Sequence, residues 1–252
     1  MNNDIQSRST LSSKSAAVKK SGDELDVALL LLDQELEKLC LEKPIQVRAI
    51  GGYALMKHGV RTGERAYTVD IDTLTRDYSS AVQRAIEIVA EKAGLEPDWL
   101  NNDNLGDAED PELVEAQYDA KWIPQGTGLR NIALSIATVP TLTRAKIIAA
   151  DTAEFSGRTQ DLPDLLDLLR HQGITSTAQF ATKYPDSFDE YPAAQDSVQR
   201  YFALQSSARI ERLKVGTSQW TADLDYCDTD NEFDYCAFWP NSIAPNFRLT
   251  RI

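Results

Sequence analysis

Asp70 and Asp72 sit two residues apart in AYTVDIDTLT (66–75), downstream of a Gly51-Gly52 pair. The segment is rich in β-branched residues, and its acids alternate with Val69, Ile71 and Leu74, the pattern of a strand with one buried and one wet face. Side chains at i and i+2 of a strand share a face, with Cα atoms about 6.5–7 Å apart. Two carboxylates so placed repel unless a cation lies between them. Mg²⁺, or Mn²⁺, is a hard cation that takes one or two carboxylates together with substrate phosphates. A pair of such ions, about 3.5–4 Å apart, can clamp the attacking and leaving oxygens of a phosphoryl-type transfer. The glycines would let the backbone turn sharply after a strand and approach a ligand closely, and a triphosphate suits the free N–H groups of a helix starting there. Alone, a D-x-D on a strand is usually a solvated edge and a Gly-Gly usually a plain turn; in this order, with His58, Arg61 and Thr68 between them, they form a far more specific set.

These groups need elements to position them. Ser21-Gly22-Asp23-Glu24 reads as a capping box opening an amphipathic helix with Leu25, Leu29, Leu32, Leu36 and Leu39 on its apolar side. Residues 45–50 read as a strand leading into Gly51-Gly52, residues 53–58 as a helical turn or short helix, and residues 79–93 as a second amphipathic helix stopped by Gly94. The stretch 95–130 is polar and reads as irregular, with Trp99 and Asn101 pinning a loop, and 131–138 as a strand. Helices are expected near 141–154, 162–171, 176–183 and 192–214. The expected domains are a disordered arm at 1–20, an α/β unit at 21–140, a helical unit packing on it at 141–216, and an unassigned acidic-aromatic tail at 217–252.

The run GGYALMKHGVRTGERAYTVDID resembles the signature of the nucleotidyltransferase-fold superfamily, in its bacterial branch related to AbiEii-type toxins of toxin–antitoxin systems. Gly51, Gly52, Ala54, His58, Gly59, Thr68, Asp70, Ile71 and Asp72 match that pattern, and Arg61 or Arg65 supplies its basic residue. Pro97-Asp98-Trp99-Leu100-Asn101 is similar to a P-x-W-L-N block of the branch. Lys146, Arg158, Asp161, Asp164 and Leu168-Leu169 are similar to a later block, with Ala145 where Met is usual. The likeness spans about residues 45–185. It implies an α+β fold, a short mixed β-sheet flanked by helices and followed by a mainly helical C-terminal half. It also implies Asp70 and Asp72 as catalytic metal ligands and Lys146 as a phosphate or transition-state contact. Gly51, Gly52, His58, Arg61, Arg65, Thr68, Arg158 and Asp161 would bind nucleotide. The superfamily's usual third carboxylate has two candidates here, Asp103 and Asp119.

Plainer roles stand beside these. Asp161-Leu162-Pro163-Asp164 looks like a helix start, with Asp161 at the N-cap and Asp164 at N3; Arg158 could pair with either acid; His58 could make a structural hydrogen bond across its turn. The chain has 252 residues, enough for a substantial core, with 26 Lys+Arg against 39 Asp+Glu and a formal net charge of −13. That charge disfavours a general nucleic-acid coat protein, and a tRNA acceptor would need a basic patch around Arg61, Arg65, Lys121 and Arg130. Three cysteines without C-x-x-C spacing and only two histidines argue against a disulfide framework, a zinc site or a multi-histidine centre, and fit a reducing cytoplasm. No run suits a membrane helix or a secretory signal. The expected protein is a cytoplasmic Mg²⁺-dependent nucleotidyltransferase of toxin or defence type, moving a nucleotide from an NTP to an RNA or protein acceptor. A relative that only binds nucleotide or a cognate antitoxin is the alternative. A third possibility is an enzyme modifying a polycationic small molecule.

Overall fold

The computed structural model describes residues 18–76, 78–105, 111–152 and 159–215, without the side chains of 104, 187, 188 and 207–215. Arg158 and the acidic-aromatic tail at 217–252 lie outside the described residues.

The capping box forms as its spacing predicts. Ser21 Oγ accepts from the Glu24 N–H, and the Glu24 carboxylate accepts from the Ser21 N–H, opening α1 (Gly22–Glu37). Leu25, Leu29, Leu32 and Leu36 are buried along one side of it. β1 (Ile45–Ala49) leads into α2 (Gly51–Lys57), then β2 (Ile71–Asp72), α3 (Ser80–Ala93), β3 (Leu100–Asn101), α4 (Pro111–Gln117), β4 (Trp122–Pro124) and β5 (Ile132–Ala137). Helices alone follow: α5 (Val139–Asp151), α6 (Asp161–His171), α7 (Thr177–Lys183), α8 (Pro185–Glu190) and α9 (Pro192–Val215). The architecture is α+β with a small mixed sheet.

Central strand β5 pairs with β1 in parallel, Val47 opposite Leu134, and with β4 in antiparallel, Ile123 opposite Ile136. β2 pairs with β3 in parallel, Asp72 opposite Asn101. Backbone bonds carry β2 onto β1: Ile50 N–H donates to Asp72 O at 2.9 Å, and Leu74 N–H to Arg48 O at 3.0 Å. The acid-bearing strand is therefore held from both sides.

Two stretches depart from the sequence reading. The strand expected over 66–75 keeps only Ile71 and Asp72 as a ladder; Thr68 and Thr73 make isolated antiparallel bridges to Lys20 and Ala49. Lys20 thus belongs to the fold rather than to a disordered arm, exchanging two backbone bonds with Thr68 while Lys19 Nζ lies 3.9 Å from the centre of the Tyr67 ring. The stretch 95–130, read as irregular, supplies β3, α4 and β4, elements of two to seven residues that are too short to show a period.

One apolar cluster lies between the sheet and α1, α2 and α3; a second, with Phe180, Val198 and Phe202, lies within the helical half. α5 and α6 feed both: Leu142 and Leu168 enter the first, Ile147, Leu165 and Leu169 the second.

Candidate active site

Ile71 and Thr73 are wholly buried, so alternation turns Asp70 and Asp72 to the opposite, half-open face of β2. There Asp72 meets the turn that follows β1, while Asp70 lies beside Thr68 and Asn101. Gly51 has φ +66°, and a Cβ on it would overlap Asp72 Oδ2. A Cβ on Gly52 would fall 2.5 Å from Thr68 Oγ1 and 2.6 Å from Arg61 Nη1. The glycines are thus required by the chain's own groups: Asp72 packs over one, Thr68 and Arg61 over the other. Only residues without a side chain admit the acid strand this close.

Asp70 is held by two donors. Thr68 Oγ1 donates to its Oδ1 and Asn101 Nδ2 to its Oδ2, each at 3.3 Å. Burial first, and the neighbouring charge of Asp72 second, push its pKa up to about 6, against the opposing pull of these two bonds. Burial and the Asp72 charge thus outweigh the two hydrogen bonds at Asp70, while Asp72 itself lies in the field of Arg61.

Lys146 comes to the same region from α5, deeply buried at 8% exposure. Its Nζ lies 2.6 Å from Asp161 Oδ1 and 3.0 Å from Asp164 Oδ2. Asp164 has no exposed surface and also accepts from Arg61 Nε at 2.9 Å, Arg61 Nη2 at 2.6 Å and Arg65 Nη2 at 2.7 Å. Arg65 continues to Asp167, and Asp167 to Arg170. Burial alone would raise the Asp164 pKa; Lys146 and Arg61 more than reverse that and hold it below the usual carboxylate value. Arg61 closes the circuit: its Nη1 donates to Tyr67 O at 2.9 Å, and Asp72 as well as Asp164 contributes to raising its pKa against the opposing effect of burial. Charge interactions therefore run from Asp72 to Arg61, and ion pairs from Arg61 through Asp164 to Lys146.

The structure gathers Gly51, Gly52, Arg61, Arg65, Thr68, Asp70, Asp72, Lys146 and Asp161 into this region. His58 takes the structural role instead, its Nε2–H donating to Ala137 O at 2.8 Å and tying α2 to the end of β5. Asp161 is not the N-cap of α6. Gln160 is, without a side-chain cap bond, and Asp161 opens the helix with its carboxylate turned to Lys146. The basic patch does not form with Arg61 and Arg65, whose side chains point into the ionic network at 11% and 16% exposure.

Neither third-carboxylate candidate joins the pair. Asp119 is half exposed and bound to Lys121 at 3.3 Å and Arg144 at 3.2 Å. Asp103 is exposed, and its N–H donates to Asn101 Oδ1. Among the described residues no group of three or more His, Cys, Asp and Glu is arranged to hold a metal ion. The donor set present, two oxygen-bearing side chains on one face, fits Mg²⁺ or Mn²⁺ completed by water and phosphate oxygens. Sequence reasoning missed Asp167 and Arg170 and gave Asn101 only a loop role. The visible signal for the first two is Asp161, Asp164, Asp167 and Arg170 at three-residue spacing, a charged stripe beside the buried Leu165, Leu168 and Leu169.

Comparison with protein-family models, curated proteins and solved structures finds no match for this chain. Among the described residues no helix is long and apolar enough to cross a membrane.

Proposed function

We propose that this chain is a divalent-metal-dependent nucleotidyltransferase of bacterial toxin or defence type. The observation that carries the reading is the Asp70–Asp72 pair, Asp72 packed on Gly51 and the Asp70 pKa raised to about 6 by burial and by its neighbour. A fold that merely needed polar residues on this face would not keep two acids in mutual repulsion.

Asp70 and Asp72 would hold Mg²⁺ or Mn²⁺, which when bound neutralises triphosphate charge and favours attack at the α-phosphorus. Thr68 and Asn101 fix one carboxylate, and the β1–α2 turn fixes the other. An acceptor hydroxyl or amine attacks the α-phosphorus in line; the bond to the bridging oxygen breaks and pyrophosphate leaves. Lys146 and Arg61 set the field around the departing phosphates through a preorganised network, the kind of positioning and electrostatic work that phosphoryl transfer needs. Arg61 and Arg65 being turned inward gives RNA little to bind at those positions, so a protein or small polycationic acceptor fits the −13 charge better.

The binding-only alternative draws on a different observation: Lys146 has two carboxylates within ion-pair distance before any phosphate arrives. Pyrophosphate release separates the two readings. With Mg²⁺ or Mn²⁺ and each of the four NTPs, a transferase releases pyrophosphate in the presence of an acceptor and Asp70→Asn does not. Release by neither form across protein, tRNA and polyamine acceptors leaves the binding-only protein.

A further inference from the structure

We propose that Asn101 is a positioning residue of this site, orienting Asp70 so that the two acids share one divalent ion. The inference rests on the reading above and adds to it the ion count and the group that sets it.

Asn101 occupies the register position across from Asp72 on β3, the strand flanking the acids on the side away from β1. The residue at this position is an amide, not a carboxylate. Its orientation is determined by its partners. Oδ1 accepts from the Asp103 N–H at 3.0 Å, a bond only an oxygen can make, so Nδ2 faces the Asp98 carbonyl at 3.2 Å and Asp70 Oδ2 at 3.3 Å. One hydrogen of the amide is used on the Asp98 carbonyl and the other on the acid. With Thr68 on Oδ1, each oxygen of Asp70 carries one donor and keeps further lone-pair capacity for a cation.

The position is rigid. Trp99, two residues earlier, is wholly buried and donates its indole N–H to Ile86 O at 3.2 Å. Ile71 N–H donates to Trp99 O at 2.6 Å, and Thr73 N–H to Asn101 O at 2.8 Å, so β3 and β2 are locked in register. Partners that orient a metal ligand in this way typically matter roughly 10- to 100-fold for metal affinity. Two carboxylates also offer too little charge for two divalent ions side by side, whereas one ion balances them.

The test is Mn²⁺ binding to the metal-stripped full chain, by calorimetry and by the electron paramagnetic resonance signal of free Mn²⁺. Wild type is expected to bind one ion per chain. Asn101→Ala should still bind one, roughly 10- to 100-fold more weakly. Asn101→Asp, which keeps the acceptor for Asp103 but adds a third carboxylate to the face, should bind two. Two ions on wild type, or wild-type affinity in Asn101→Ala, overturns the proposal. An unchanged count of one at wild-type affinity in Asn101→Asp also overturns it. A wild-type count other than one overturns the proposal even if a variant does not fold. Wild type binding no Mn²⁺ removes the metal reading and this inference together, whereas one ion with an indifferent Asn101 removes this inference alone.

Discussion

Asp164 and Asp70 are carboxylates withdrawn from water, one bound to Arg61 and the other beside Asp72, which Arg61 also attracts, and their surroundings drive them in opposite directions. Asp164 is surrounded by Lys146, Arg61 and Arg65 and is held ionised below the usual range. Asp70 meets a hydroxyl, an amide and a second acid, and is pushed up to about 6. The first environment satisfies a charge and joins α6 to the loop between α2 and β2. The second sets two acids against each other, which costs stability and would be relieved by a bound cation. The contrast separates a carboxylate that builds the molecule from a pair that would work in it.

The largest expected effect is on the building side. Asp164→Asn removes the negative charge shared by three buried or half-buried cations, and breaking such a network typically costs about 3–5 kcal/mol. Urea unfolding should show a destabilisation of that order. A loss below about 1 kcal/mol would mean the network adapts, and the contrast with Asp70 would weaken.

Next in size, Asp70→Asn should raise metal-free stability at neutral pH, by on the order of 1–3 kcal/mol, because a shift of one unit is worth about 1.4 kcal/mol and this one is shared with Asp72. The pH dependence carries the sign. A folded pKa of about 6 against the ordinary 3.8 means the native state favours the protonated acid. Its relative stabilisation is full below about 3.8 and is lost as pH rises through 6. Wild type should therefore fall behind Asp70→Asn between roughly pH 4 and 7. Asp164 acts the other way: its contribution is present at neutral pH and lost as pH falls through a folded pKa below 3.8. Stability profiles of the two Asn variants across pH 3–8 should diverge in opposite senses.

Gly51→Ala sharpens the acid side. Left-handed backbone costs a non-glycine residue about 1–2 kcal/mol, and the new Cβ overlaps the Asp72 carboxylate. The expected result is a modest drop in melting temperature with a larger loss of Mn²⁺ binding. The smallest effect belongs to Arg170→Ala. Its half-exposed pair with Asp167 lies at the far end of the network and should be worth less than about 1 kcal/mol. A large effect there would extend the network's cooperativity to its rim.

The long periodic helices were legible in the sequence, down to the Ser21–Glu24 box and Gly94 in the left-handed conformation after α3. So was the alternation that buries Ile71 between the half-open Asp70 and Asp72, because strand alternation is a local rule. The expectation of Lys146 beside them rested on a resemblance; its ion pairs are with Asp161 and Asp164, and nothing local tells a lysine on α5 that it will meet an acid of α6. β3 and β4 were hidden because two or three residues carry no period, and the bonds of β3 are made to a strand some thirty residues earlier. Asn101 was read as a loop pin for that reason: its second role appears only when β3 is placed against β2. The glycines were read as space for a ligand, whereas the space over them is filled from within by Asp72, Thr68 and Arg61.

The central claim, that Asp70 and Asp72 are kept in conflict for a divalent cation, is tested most directly by thermal unfolding of wild type and Asp70→Asn at pH 7, each with and without Mn²⁺. Without metal, the variant should melt higher. Mn²⁺ at about a hundred times its dissociation constant should stabilise wild type by about 2.7 kcal/mol, several degrees for a chain of this size, and leave the variant nearly unmoved. A metal-free variant that melts lower than wild type, with wild type indifferent to Mn²⁺, would make Asp70 a structural acid like Asp164 and contradict the account.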